Sequence, residues 1–412
     1  MSCLHYRETE LYIENSRLKQ VAEKFGTPCY VYSSSALASN WQAFDEALKS
    51  IPHRICYAVK ANSNLAILHQ LAKLNSGFDI VSLGELERVI AAGGDPKKVI
   101  FSGIGKSEIE IEQAIKKKIH CFNVESEAEL EKLHQIASRL NTTVNVALRV
   151  NPNIDPHTHN YISTGLKENK FGIEINKIIP LGRQLASASH LRLIGIASHI
   201  GSQIVKLNPF LSAANRLLDI YLELRKSGIN VQHINVGGGL GITYHDEHPP
   251  AIAEYVKALQ QKFLKHPVEI IIEPGRSIVG NAGALLTRIE YLKHTSQKNF
   301  VIVDTGMNDL LRPALYNAWQ AILPVELRNS EKRTYDIAGP VCESADFLGK
   351  NRTLAVQPGD YLAIDSAGAY GFSMSSNYNS RCRPAEVLIE NDKMRLIRRR
   401  ETIEDLFALE KI

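Results

Sequence analysis

Between residues 55 and 273 the chain repeats one pattern eight times: a short apolar, β-branched run, then a longer stretch. The runs fall at 55–59, 78–81, 99–101, 121–124, 144–150, 194–198, 233–236 and 269–272. Between them lie stretches such as 65–74, 85–92, 108–117, 127–140, 209–226 and 252–264, whose apolar residues recur at three- and four-residue spacing. That spacing is what a helix lying on a sheet requires. Eight strand–helix units over about 250 residues specify a (β/α)8 barrel. The fifth connection, 151–189, is long and opens with a polar loop.

After residue 289 the pattern changes. Short strand-like runs at 300–304, 334–338, 353–356, 361–364, 387–390 and 394–397 are separated by turns, with little helix between them. Two early runs, 11–13 and 30–32, precede the barrel and are expected to pair with this second region. The expected fold class is α/β: a TIM-like (β/α)8 barrel over 36–281, and a mostly antiparallel β domain built from 1–35 and 282–412.

Composition narrows the function classes. Of 412 residues, 44% are hydrophobic and 22% charged, ordinary values for a globular protein. A net charge of +4 is too small to point to nucleic acid or an anionic membrane, and Lys116–Lys118 and Arg398–Arg400 are short, isolated runs. No 18-residue apolar run is present, so no membrane-spanning helix is expected. The opening residues 1–10 are polar, without the apolar core of a signal peptide. The six cysteines are scattered without Cys-x-x-Cys spacing, so free thiols and a cytoplasmic location are expected.

In a barrel of this kind the chemistry sits at the C-terminal ends of the strands. Cys56-Tyr57-Ala58-Val59-Lys60 sets one lysine at the end of the first run. An unperturbed lysine, with pKa ~10.4, is a poor nucleophile near pH 7; desolvation frees the amine to attack a carbonyl. Ser82 follows the second run, Arg149 and Asn151 close the fifth, and His199 ends the sixth. Gly237-Gly238-Gly239-Leu240-Gly241 follows the seventh, and Glu273-Pro274-Gly275-Arg276 the eighth. Glycines let backbone N–H groups converge on an anion, and barrels commonly bind phosphate after strands seven and eight. An imine-forming lysine and a phosphate cradle on one rim together suggest pyridoxal phosphate. Its aldehyde would bond Lys60 and its phosphate would sit on Gly238 and Gly239. Glu273 would then keep the pyridine nitrogen protonated, which strengthens the ring as an electron sink. His199 could stack its flat ring on the cofactor face.

These residues resemble the diaminopimelate decarboxylase family, pyridoxal-phosphate enzymes of fold type III in the alanine racemase and ornithine decarboxylase superfamily. The likeness runs nearly end to end. It is carried by Tyr57–Asn62, His199-Ile200-Gly201-Ser202-Gln203, Gly237–Gly241, Glu273–Arg276, Cys342-Glu343-Ser344-Ala345-Asp346 and Gly368-Ala369-Tyr370-Gly371-Phe372. The resemblance implies that Lys60 forms the Schiff base with the cofactor and that His199 stacks on its ring. It implies that Ser202, the glycine loop and the Glu273, Pro274, Gly275, Arg276 stretch contact the cofactor. Arg276, Arg312, Tyr316 and Glu343 would bind the distal end of the substrate, and Tyr370 would touch both cofactor and substrate. Cys342 would return a proton after carbon dioxide leaves. In the family Cys342 and Glu343 come from the partner subunit, which implies a homodimer with shared active sites.

The later motifs agree with this reading of the residues. Cys342 follows Gly339-Pro340 beside Glu343 and Asp346. Most cysteines are small buried hydrophobes, but neighbouring acids disfavour a thiolate and suit a thiol that donates a proton. Two guanidinium groups, Arg276 and Arg312, suit a second carboxylate and favour meso-diaminopimelate as substrate, with L-lysine as product. The alternatives are a decarboxylase of ornithine, lysine or arginine, or a non-catalytic pyridoxal-phosphate carrier. A racemase of this fold would place an arginine at the ring nitrogen, where this chain offers Glu273. His157 and His159 beside Asp155 have metal-like spacing but no evident third ligand, so no metal site is expected.

Overall fold

The computed structural model describes residues 2–155, 164–165 and 170–412. His157 and His159 lie outside the described residues. The chain folds into two compact units: Trp41–Gly241 with His248–Gly275, and Met1–Asn40 with Ile242–Glu247 and Arg276–Ile412.

The first unit is a closed parallel barrel. Its strands are β1 (His53–Ala58), β2 (Gly77–Ile80), β3 (Val99–Phe101), β4 (Cys121–Val124), β5 (Val144–Asn151), β6 (Leu191–Ala197), β7 (His233–Asn235) and β8 (Glu269–Ile272). Each pairs in parallel with the next, and β8 returns to β1 with Ile272 opposite Ile55. Closure satisfies both sides of every strand, so no edge remains. Cys56, Ile100, Cys121, Ala147, Ile194 and Ile271, one from each of six strands, pack as a buried layer.

Local sequence sets where the rim loops end. Asn64, Ser82, Ser107 and Ser126 cap the helices after β1, β2, β3 and β4, each accepting a first-turn backbone N–H through its side chain. Three of these four caps belong to Ser-x-x-Glu sequences, and at Ser107 the Glu110 carboxylate completes a reciprocal box. The loop that Asn64 terminates carries Lys60.

One ion pair is buried beneath that rim. Lys106, fully enclosed, donates to Gly103 O at 2.6 Å, Asn123 O at 2.9 Å and Glu129 Oε1 at 2.6 Å. Three acceptors saturate the ammonium and justify its burial.

The second unit is a mixed sheet, mostly antiparallel. Its longest strand is Gly283–His294, which pairs antiparallel with Cys29–Ser33, Tyr361–Ile364 and Asn299–Val303. Two pairings are parallel: Phe300 opposite Asp336, and Ala385 opposite Cys29. The run at 30–32 thus joins this sheet as expected, and Leu11, Ile13, Val31, Leu286, Ala363 and Val387 share one core cluster. The strand Gly283–His294 was not among the expected runs. Its first five residues are buried and read as a continuation of the barrel, while the rest alternates toward exposure. The last helix of this unit is short, Ile403–Phe407. Among the described residues no helix is long and apolar enough to cross a membrane, and all six cysteines are free.

Removing one partner of the enclosed ion pair leaves a buried charge uncompensated. Lys106→Ala is expected to destabilise the barrel by about 3–5 kcal/mol in chemical denaturation, and Lys106→Met with Glu129→Gln to recover most of that loss.

Candidate active site

The turn Val59–Ala61 ends β1 and lifts Lys60 from the strand. Its Nζ lies 3.1 Å from Asp79 Oδ2, on β2. The Asp79 side chain is fully buried, and its Oδ1 has no partner among the described residues. Glu273 follows β8 directly and is buried. Its Oε1 accepts from Asn235 Nδ2 at 2.6 Å and more weakly from Asn123 Nδ2 at 3.4 Å. Burial pushes the Glu273 carboxyl upward, the Asp79 charge adds to this, and Lys60 opposes it.

Asn235 has a second bond: its Oδ1 accepts from Gly237 N at 2.9 Å. One buried carboxamide therefore fixes both the acid and the start of the glycine loop. Gly237 and Gly239 have φ of 72° and 108°, the region glycine alone enters freely. A Cβ on Gly238 would lie 2.0 Å from Glu273 O, so the loop seats directly against the acid's backbone. Gly238 N in turn donates to His199 Nδ1 at 3.2 Å. Burial, with Lys60 and Arg149 nearby, holds the His199 pKa well below its usual value. The ring is neutral, with Nδ1 as acceptor. Ser202 lies half-buried three residues on, and Pro274 and Gly275 are buried.

In the second unit another group gathers. Arg276 Nη1 donates to Tyr244 Oη at 2.7 Å, and its guanidinium lies 4.8 Å over the Tyr370 ring. Arg312 stacks 4.2 Å from the Tyr244 centroid. Both arginines are buried, and Arg312 Nη1 has no hydrogen-bond partner among the described residues. Burial lowers the Arg312 pKa; at Arg276 burial works the same way, but Tyr244 and Tyr370 tip the balance upward. Both remain cations at neutral pH. Tyr316 shares the helix Arg312–Tyr316 and is half-buried.

Cys342 and Glu343 join neither group. They lie on an exposed loop, where Cys342 N donates to Asn379 Oδ1 at 3.0 Å and Glu343 Oε1 accepts from Tyr378 Oη at 2.7 Å. Sequence reading missed Asp79, Asn123, Asn235, Glu85 and Tyr244. The first three have a signal: each is a polar side chain flanked on both sides by apolar residues, in Phe78-Asp79-Ile80, Phe122-Asn123-Val124 and Ile234-Asn235-Val236. Glu85 is half-buried on the helix after β2 and accepts from Val81 N at 2.7 Å.

The family model for the pyridoxal-dependent decarboxylase, pyridoxal binding domain, matches residues 34–280. The chain belongs to this class of decarboxylases. Diaminopimelate decarboxylases of Vibrio cholerae and Pseudomonas aeruginosa are 53% and 52% identical to it, over the whole of this chain and 99% of each relative. Diaminopimelate decarboxylase from Helicobacter pylori, solved with L-lysine, superposes with a TM-score of 0.92 at 43% identity, covering 95% of this chain and 99% of that one. The M. jannaschii enzyme, also solved with L-lysine, gives 0.95 at 39% identity, covering 99% and 98%. Within the class, the chain is a member of the diaminopimelate decarboxylase family. A lysine/ornithine decarboxylase from Vibrio vulnificus, at 19% identity and a TM-score of 0.80, shares the fold.

The barrel residues fit a pyridoxal group. An amine beside a buried acid, a loop that only glycines allow, and a second acid held by two carboxamides supply what its aldehyde, phosphate and ring nitrogen require.

Asn235→Ala strands a buried carboxylate oxygen and a backbone N–H together. It is expected to cost about 2–4 kcal/mol in chemical denaturation and to weaken pyridoxal phosphate binding ~10-fold or more in a fluorescence titration. Burial raises the Glu85 pKa from 4.5 to about 7. Its contribution to stability is therefore full below pH 4.5 and lost as pH rises through about 7. In the cofactor-free protein, the Tm of Glu85→Gln relative to the parent is expected to rise between about pH 5 and about pH 8.

Proposed function

We propose that this chain decarboxylates meso-2,6-diaminopimelate to L-lysine and carbon dioxide, with pyridoxal 5'-phosphate as its cofactor. The observation that carries the choice of substrate is the pair of buried guanidinium groups, Arg276 and Arg312, gathered on Tyr244. Arg312, a buried cation with Nη1 unbonded among the described residues, calls for an anionic ligand, and the planar guanidinium pairs with a carboxylate through two bonds. Diaminopimelate offers a second carboxylate at its far end; ornithine, lysine and arginine offer only a cation there. End-to-end similarity to diaminopimelate decarboxylases supports the same reading.

When bound, pyridoxal phosphate supplies an electron sink for the pair released as the bond between the α-carbon and the carboxylate breaks. Lys60 would hold the cofactor through its aldehyde carbon, and Asp79, 3.1 Å from Nζ, would keep the lysine side chain at the rim. His199, neutral and pinned through Nδ1, presents its flat face to the ring. Gly238, Gly239 and Ser202 would hold the phosphate, and Pro274, Gly275 and Arg276 would contact the cofactor. Glu273 would hold a proton at the ring nitrogen: its Oε1 accepts from two carboxamides, and Oε2 would serve the cofactor. Arg276, Arg312 and Tyr316 would hold the distal end of the substrate, and Tyr370 would touch both cofactor and substrate.

The working unit is a cytoplasmic homodimer. Cys342 of the partner subunit or Lys60 returns a proton to the α-carbon, and Glu343 of the partner subunit meets the distal amine. Exposure of both residues on their loop supports this division of labour.

Carbon dioxide release measured in parallel on meso-diaminopimelate, lysine, ornithine and arginine tests the proposal. Turnover is expected on the first alone, and comparable turnover on any of the others would contradict it. Arg312→Ala is expected to raise KM for meso-diaminopimelate ~10–100-fold, the loss of one charge-assisted contact.

A further inference from the structure

The opposite end of the barrel holds a group of side chains that the decarboxylation does not use. His120 directly precedes β4, His233 opens β7, and Glu269 opens β8. Their potential donor atoms all lie within 4.8 Å of one another. The two imidazole rings have centroids 5.6 Å apart and planes inclined at 40°.

These rings are poorly satisfied as ordinary core residues. His233 is completely buried, and neither Nδ1 nor Nε2 has a hydrogen-bond partner among the described residues. His120 Nε2 is likewise buried without one. Three ring nitrogens in one cluster lack a partner, whereas buried polar atoms in folded proteins are almost always bonded. The backbone also makes room for the His233 ring: a Cβ at Gly195, its neighbour on β6, would lie 2.0 Å from Nε2.

We propose that His120, His233 and Glu269 form a transition-metal site on the floor of the barrel, holding one zinc-like divalent cation. Two imidazoles and a carboxylate favour zinc, copper, nickel or cobalt over magnesium and calcium, which prefer all-oxygen ligand sets. Zinc–ligand bonds of ~2.0–2.2 Å would draw the three donors closer than they stand. Rotation of the Glu269 side chain, about one quarter exposed, and of the half-buried His120 supplies that movement.

Arg54 is the cation with which a metal ion would compete for Glu269. Its Nε and Nη2 make three contacts with the Glu269 oxygens at 3.2–3.4 Å, and a carboxylate retains acceptor capacity beyond three such contacts. Its charge also opposes a dication, so the site is weaker than a four-ligand structural zinc site. A surface cavity of about 390 Å³, lined by His120, Asn145, Thr142 and Lys118, gives an approach and room for water as a fourth ligand. The bound ion would tie β4, β7 and β8 together at the end of the barrel away from Lys60.

The test is calorimetric titration of the chelator-treated, pyridoxal-loaded protein with Zn²⁺, and with Co²⁺ read by its visible ligand-field bands. One ion per chain is expected. Affinity should fall ~10-fold or more in His120→Asn and in Glu269→Gln, with the decarboxylation rate unchanged. Arg54→Gln should tighten binding, which a chance surface ion would not show. A Cys342→Ser variant should retain the ion, separating this site from the exposed thiol. Absence of uptake by the parent protein, or uptake that both His120→Asn and Glu269→Gln retain at full affinity, would overturn the proposal.

Discussion

The seam between β8 and β1 is the contact on which the catalytic arrangement rests. Ile272 stands opposite Ile55, and the last residue of β1, Ala58, donates its N–H to Pro274 O, just past β8, at 3.1 Å. Gly275 packs so closely on Ala58 and Ala61 that a Cβ there would lie 3.0–3.1 Å from theirs. This seam brings the first strand's lysine and the last strand's acid onto one rim, although nearly the whole barrel sequence separates them. An open sheet with the same strand ends would leave Lys60 and Glu273 at opposite edges.

Around that seam the polar groups are connected rather than merely near. Asn235 joins Glu273 to Gly237, Gly238 joins the loop to His199, and Asp79 holds Lys60. Each link is buried or half-buried, where an unmade hydrogen bond is costly and a made one is rigid. The site is consequently preorganised by its own backbone loops, and the glycines are needed because they approach carbonyl oxygens more closely than any side chain permits. The buried arginines follow a different logic. Arg276 and Arg312 are desolvated against tyrosine rings and a tyrosine hydroxyl, and at Arg312 the electrostatic demand is left for a ligand to meet.

The barrel was legible in the sequence because parallel strands buried on both faces read as plain apolar runs, and their covering helices show a clear three-and-four spacing. Lys60, His199, the glycine loop and Glu273 were legible because they interrupt or follow those runs. Asp79, Asn123 and Asn235 were passed over: within a strand only alternate residues face inward, and a single inward polar residue looks like noise until its neighbours across the sheet are known. His120, His233 and Glu269 come from three distant segments, and no spacing rule links them. The strand Gly283–His294 was hidden for the opposite reason, since its first five residues, all buried, resemble the barrel runs that precede it. Cys342 and Glu343 were named through family resemblance, because in a single chain they are simply exposed loop residues.

The central claim is that Lys60, on the same rim as Glu273 and the glycine loop, is the amine that bonds the cofactor. Borohydride reduction of the pyridoxal-loaded protein, followed by peptide mapping by mass spectrometry, tests it most directly. A single pyridoxyl mass addition on Lys60 is the result expected. Addition at a different lysine, with Lys60 unmodified, would contradict the account.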